Sequence, residues 1–188
     1  MKKNDFQNLT DFELIDKIRS DQKSVYFEIL YERYYAKVLD KCYSFVKNRA
    51  LAKELTDDIF SKTFEKMSGF KQMSSFSSWL YALTYNYCID YLRVKKKLNY
   101  PEWNRDNEIP EILDETAEDV EEYSYDNLME VMEEIHPEEK ALLLMKYQDN
   151  LSLKQIAESL RISEDATKMR LKRARSRVVY MYKLKYSV

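Results

Sequence analysis

One glycine and three prolines in 188 residues leave this chain almost without the residues that stop a helix or open a tight turn. Long helices joined by short connections are therefore expected, and a sheet protein, which needs turn chemistry at every hairpin, is not. The length suits one ordinary domain or two small ones. Cys42 and Cys88, the two cysteines, both lie in apolar helical patterns, which favours buried free thiols in a reducing compartment over a disulfide or a metal pair. No apolar run is long enough to span a bilayer, and none follows the lysines of the opening MKKNDFQN, so a cytoplasmic protein without membrane insertion is expected.

The formal charge of −2 conceals a division along the chain. Residues 1–100 hold 18 Lys/Arg against 13 Asp/Glu, residues 101–139 hold 1 against 16, and residues 140–188 hold 12 against 4. Two basic modules flank an acidic one, and this local distribution, more than the net charge, bears on nucleic-acid binding.

The stretch 151–177, LSLKQIAESLRISEDATKMRLKRARSR, is the most informative. Ser152 and Gln155 have the form of a capping box, so a short helix starts there and buries Ile156, Ala157 and Leu160. Ser163 is a good N-cap for a second helix after a turn at Arg161. On that helix Thr167, Leu171, Ala174 and Val178 form one inward stripe. The outward face carries Asp165, Lys168, Met169, Lys172, Arg173 and Ser176, flanked by Arg170, Arg175 and Arg177. This is a helix-turn-helix whose second helix suits a DNA major groove. A solvated basic helix closing a bundle is the plainer reading.

Earlier in the chain, helices are expected over 11–19, over 23–45 with Phe27, Leu30, Tyr34, Val38 and either Tyr35 or Cys42 buried, and over 49–67. The last of these buries Leu55, Ile59, Phe60, Thr63, Phe64 and Met67 and exposes Lys53, Glu54, Asp57, Asp58, Ser61, Lys62 and Glu65. After a loop over 68–78 containing Phe70, Met73 and Phe76, a further helix packs Trp79, Leu83, Tyr87 and Leu92 inward. Its aromatics, interleaved with polar groups and followed by a basic cluster at 93–97, suit single-stranded nucleic acid, although most of them are expected to be core. The acidic stretch 101–126 has two prolines and no apolar stripe and reads as a flexible connector that could cover the basic faces of the free protein. A helix follows over 127–135 through Leu128, Val131, Met132 and Ile135. Pro137 then opens another, with Glu138 and Glu139 complementing its dipole and Ala141, Leu142, Leu144, Met145 and Tyr147 in the core. His136, the sole histidine, reads as a helix-boundary residue.

AKELTDDIFSKTF over 52–64 and SFSSWLYALTYNYCIDYLR over 75–93 resemble region 2 of bacterial RNA polymerase sigma factors, in the compact extracytoplasmic-function group of the sigma-70 family. Residues 136–182, with LKRAR at 171–175, resemble region 4. The resemblance implies an all-α chain of two small helical domains, region 2 over 1–100 and region 4 over 127–188, joined by the flexible acidic linker 101–126. It implies that Glu54, Asp57, Asp58, Ser61 and Lys62 bind the clamp helices of the polymerase largest subunit, with the flap of the second-largest as a further contact. Ser75, Phe76, Trp79, Tyr85, Asn86, Arg93, Lys95 and Lys96 would capture and melt the −10 promoter element. Ser163, Asp165, Lys168, Met169, Arg170, Lys172 and Arg173 would read the −35 element as duplex. An anti-sigma factor is a further candidate partner. The family often has Gln at Asp57, Gly at Arg161 and Gly-Thr at Asp165-Ala166. A non-glycine at the turn is tolerable if Arg161 avoids the left-handed region.

Two other function classes are weighed against this one. An enzyme would need a phosphate loop, a metal-ligand cluster or a nucleophile with its base, and one histidine at a helix start supplies none, so no catalytic residue, metal, cofactor or small-molecule substrate is expected. A stand-alone helix-turn-helix regulator explains 136–182 but leaves the first hundred residues without a task. Such a regulator would footprint its operator unaided.

Overall fold

The computed structural model describes residues 6–21, 23–70, 74–97, 104 and 123–186. The connector expected over 101–126 falls largely outside them, as do Met73 and the side chain of Lys96. Among the described residues there is no strand, as the scarcity of glycine and proline requires. The helices are α1 (Asp11–Asp21), α2 (Ser24–Val46), α3 (Arg49–Lys66), α4 (Phe76–Lys96), α5 (Tyr125–Glu134), α6 (Pro137–Leu143), α7 (Leu153–Leu160) and α8 (Glu164–Tyr186). They form two compact units, residues 1–88 and 89–188, with the last turns of α4 in the second.

In the first unit, Thr10 and Glu13 make a reciprocal capping box at the start of α1 (2.7 and 3.3 Å), a TxxE signature that the sequence carries openly. The Asn48 side chain accepts the Leu51 N–H at 2.9 Å and starts α3. The core is Leu14, Ile15, Tyr26, Ile29, Leu30, Tyr34, Val38, Cys42, Leu55, Ile59 and Phe60, together with Phe70, Phe76, Leu80, Tyr85 and Cys88. Rings supply much of it: Tyr34 meets Phe76 edge-on at 5.4 Å, and Phe45 meets Tyr85 at 5.9 Å. Such offset and edge contacts favour these pairs beyond the area they bury.

The inward stripe of α4 departs from expectation. It is Phe76, Leu80, Tyr81, Thr84, Tyr85, Cys88, Ile89 and Leu92, whereas Trp79, Leu83 and Tyr87 are half-buried. The helix is apolar on several sides, so periodicity alone admits both stripes. Thr84 settles the choice because its hydroxyl donates to the Leu80 carbonyl (2.9 Å), so it enters the core with no unsatisfied group. Phe64, expected inside, is 52% exposed on α3 and rests its ring against Phe27 at 5.0 Å.

In the second unit, α5, α6, α7 and α8 enclose Val131, Met132, Ile135, Ala141, Leu142, Met145, Ile156, Ala157, Leu171, Ala174 and Val178. Leu144–Gln148 continues α6 as a π-helical turn, in which the Asp149 N–H reaches the Leu144 carbonyl five residues back. The wider turn rotates the following side chains, so Tyr147, expected in the core, is 57% exposed while Met145 stays buried.

Candidate nucleic-acid and polymerase interface

The helix-turn-helix forms as its sequence specifies. The Ser152 N–H donates to Gln155 Oε1 (2.8 Å) and the Gln155 N–H to Ser152 Oγ (3.2 Å), completing the capping box of α7. Ser163 Oγ accepts the Ala166 N–H at 3.1 Å and starts α8. Between them Arg161 does adopt the left-handed conformation (φ 55°, ψ 44°), where a side chain costs about 1–2 kcal/mol relative to the right-handed region. Two bonds accompany this strain: the Arg161 N–H reaches Glu158 O and the Ile162 N–H reaches Ala157 O at 3.0 Å. They close the α7 terminus in the manner of a Schellman motif.

Thr167, Leu171, Ala174 and Val178 are buried, and Asp165, Lys168, Met169, Lys172 and Arg173 are all exposed on the other side of α8. Met169, 58% exposed, is an apolar side chain in the middle of that charged face. Ser163 is exposed at the helix start. Arg177, placed by its sequence on a flank of this face, is instead buried: its guanidinium meets Glu139 (Nε to Oε2 2.9 Å, side chains 3% and 0% exposed) and donates to Asn104 Oδ1 at 2.9 Å. The ion pair faces inward, opposite the exposed cations, and seats α8 on α6.

Glu138 is the residue whose role the sequence did not disclose. Its carboxylate, 8% exposed, takes Arg93 through Nε (3.0 Å) and Nη2 (2.7 Å) on one oxygen and Arg170 Nη1 (3.3 Å) on the other. Arg93 also reaches Asp90 at 3.2 Å. Two arginines expected to meet DNA thus share one buried acid. Glu138 and Glu139 complement the α6 N-terminus as expected, but as buried counter-ions, not as solvent-facing charges. His136 caps α6, its Nδ1 accepting the Glu138 N–H at 3.2 Å. Burial pushes its imidazole below the ordinary pKa, with Glu138 opposing that shift and Arg93 and Arg177 adding to it.

On α3 the face made by Glu54, Asp57, Asp58, Ser61 and Lys62 is exposed throughout. Three of its side chains are oriented by neighbouring tyrosines. Tyr31 donates to Asp57 (3.3 Å), Tyr87 donates to Asp58 (2.9 Å), and the Lys62 ammonium lies 5.1 Å from the centre of the Tyr87 ring. Burial first, and these carboxylates second, push the Tyr31 and Tyr87 phenols up to about 12.

At the start of α4, Ser75 is exposed and its Oγ accepts the Ser78 N–H at 3.1 Å. Trp79 is half-buried against Phe70 (5.1 Å), and Asn86 is half-buried. Two of the expected base-stacking rings do not lie on this surface. Phe76 is 1% exposed among Tyr34, Phe70 and Trp79. Tyr85 is fully buried, its hydroxyl accepting from Lys41 Nζ at 2.9 Å. Both are core residues, because ring packing and that hydrogen bond already use the faces and the polar atom a base would need. Lys95 is exposed at the helix end.

Family models match both halves of the chain. The family model described as "Sigma-70 region 2" matches residues 30–98, and "Sigma-70, region 4" matches residues 120–178. Among named relatives, the RNA polymerase sigma factor SigV of Bacillus subtilis (strain 168) is 27% identical over 132 residues, covering 70% of this chain and 76% of its own. The ECF RNA polymerase sigma factor SigW of the same organism is 25% identical over 175 residues, covering 86% and 90%. The fold resembles that of the sigma factor RpoE in complex with the anti-sigma factor NepR from Bartonella quintana, with TM-score 0.56, 16% identity and coverage of 85% of this chain and 98% of that one.

Proposed function

The chain belongs to the extracytoplasmic-function group of the sigma-70 family, the factors that bind core RNA polymerase and direct it to promoters, and we propose that two regions of it divide that task by surface. Residues 1–100 form region 2, which docks on the clamp helices of the largest polymerase subunit through Glu54, Asp57, Asp58, Ser61 and Lys62. The same region engages the melted −10 element through Ser75, Trp79, Asn86, Arg93, Lys95 and Lys96. Residues 127–188 form region 4, which meets the flap of the second-largest subunit and reads the −35 duplex through Ser163, Asp165, Lys168, Met169, Arg170, Lys172 and Arg173. Residues 101–126 link them. The protein works in the cytoplasm and is not an enzyme. An anti-sigma factor is proposed as a further partner, on the analogy of RpoE with NepR.

One observation carries the reading of region 4: a single helix, α8, buries Thr167, Leu171, Ala174 and Val178 and presents Lys168, Met169, Lys172 and Arg173 on its other side. Cations so placed neutralise phosphates, Met169 offers an apolar contact to a thymine methyl, and Asp165 accepts from a cytosine amino group.

The test is the salt dependence of DNA binding by the full chain. Each phosphate contact adds about 0.9 to the slope of log affinity against log salt. Lys172→Ala with Arg173→Ala should therefore weaken binding to all sequences and flatten the slope by about 2. Glu138→Gln should act oppositely, releasing Arg93 and Arg170 to steepen the slope. Unaltered slopes in both variants would remove this face, and the counter-ion role of Glu138, from the account.

A further inference from the structure

The surfaces above leave unused the pair Cys42 and Cys88, on α2 and α4 of the first unit. Both are fully buried. They lie 46 residues apart in sequence, yet the Cys88 thiol points at Cys42 with the sulfurs 3.9 Å apart. The chain holds no third cysteine to compete. We propose that Cys42 and Cys88 are an oxidation site that closes to an intramolecular disulfide, stapling α2 to α4.

A disulfide needs its sulfurs about 2.05 Å apart. From 3.9 Å the two sulfurs must approach by about 1.9 Å for the bond to form. The oxidant is hydrogen peroxide. Cys42 is the first nucleophile, since the S–H donated by Cys88 holds its thiol below the ordinary range, while that donation and burial push Cys88 up. The Cys42 thiolate attacks one peroxide oxygen, the O–O bond breaks, and Cys42 becomes a sulfenic acid, while the departing hydroxide takes up the proton that the Cys42 thiol gave up and leaves as one water. Cys88 then attacks the Cys42 sulfur, the S–O bond breaks, and the departing hydroxide takes the Cys88 proton as a second water. The two sulfurs together lose two electrons and the peroxide gains them. A thiol reductant reverses the bond by exchange, which suits a reducing compartment disturbed by oxidant.

The joined helices carry different tasks in the proposed function: α2 supports the polymerase-facing α3, and α4 carries the residues assigned to the −10 element. The disulfide holds these two supports in one geometry and closes a loop of 46 residues, long enough to restrict the unfolded chain substantially.

The experiment uses the wild-type full chain treated with hydrogen peroxide, then denatured and assayed for free thiols, with intact mass and peptide mapping. The expected result is a fall from two titratable thiols to none, loss of two hydrogens without added oxygen, a single Cys42–Cys88 linked peptide, full reversal by dithiothreitol, and a higher thermal midpoint for the oxidised first unit. Cys88→Ser, which cannot close the bond, should instead accumulate a dimedone-reactive sulfenic acid at Cys42. The proposal is overturned if both thiols survive doses that consume glutathione in a parallel tube, or if oxidation stops at sulfinic acid or joins two chains.

Discussion

Replacing Arg177 by Met tests how α8 is held in place. The guanidinium and the Glu139 carboxylate are 3% and 0% exposed, 2.9 Å apart, and Arg177 also donates to Asn104. Removing the cation takes the Arg177 ion pair away from a Glu139 carboxylate that is 0% exposed. Breaking a buried pair from one side costs about 3–5 kcal/mol, most of it the stranded charge. The same logic makes Arg177→Met with Glu139→Met far milder, because neither charge remains to be desolvated; such exchanges are often neutral or stabilising by about 1–4 kcal/mol. The assay is amide hydrogen exchange on peptides from α6 and α8, whose slowest protons report opening of the second unit alone. Arg177→Met should accelerate them by roughly two to four orders of magnitude, and the double variant should restore most of the protection. Additive losses in the double variant would refute the reasoning, since they would mean that the side chains matter for shape and not for mutual charge compensation.

Arg161→Gly relieves the left-handed turn and should stabilise the second unit by about 1 kcal/mol, the strain of 1–2 less the extra chain entropy of glycine; protection factors in α7 should rise, and a fall would show that the Arg161 side chain itself holds the turn. The depressed pKa of His136 sets a pH dependence. A folded state that keeps this imidazole neutral binds fewer protons than the unfolded chain, so stability is full above pH 6.5, and it is lost as pH falls through that value towards the lower folded pKa. Urea midpoints of the second unit should decline over that window, and His136→Asn, which retains a capping oxygen, should flatten the decline.

The legibility of these features in the sequence follows from contrast. On α8 a stripe of Thr167, Leu171, Ala174 and Val178 stands against charges, so both faces were readable. On α3 the same contrast identified the polar face, and the error at Phe64 arose because a ring at the edge of a stripe can shield its neighbour and still be half in solvent. On α4 no such contrast exists: Trp79, Leu83 and Tyr87 repeat as regularly as Leu80, Thr84 and Cys88, and a hydroxyl that bonds its own helix can join a core unnoticed. Arg177 was misplaced because its partner lies 38 residues away, beyond any local pattern. Tyr147 was misplaced because the π turn changes the period on which the expectation rests.

The most direct measurement is run-off transcription from a promoter library with purified core polymerase, with and without this protein, followed by mapping of the starts. The account predicts defined new starts with the wild-type chain, and their loss with Asp58→Arg through failure to assemble on core while both units stay folded. Core enzyme that initiates nowhere new in the presence of the protein would contradict it, as would an Asp58→Arg variant that assembles and initiates normally.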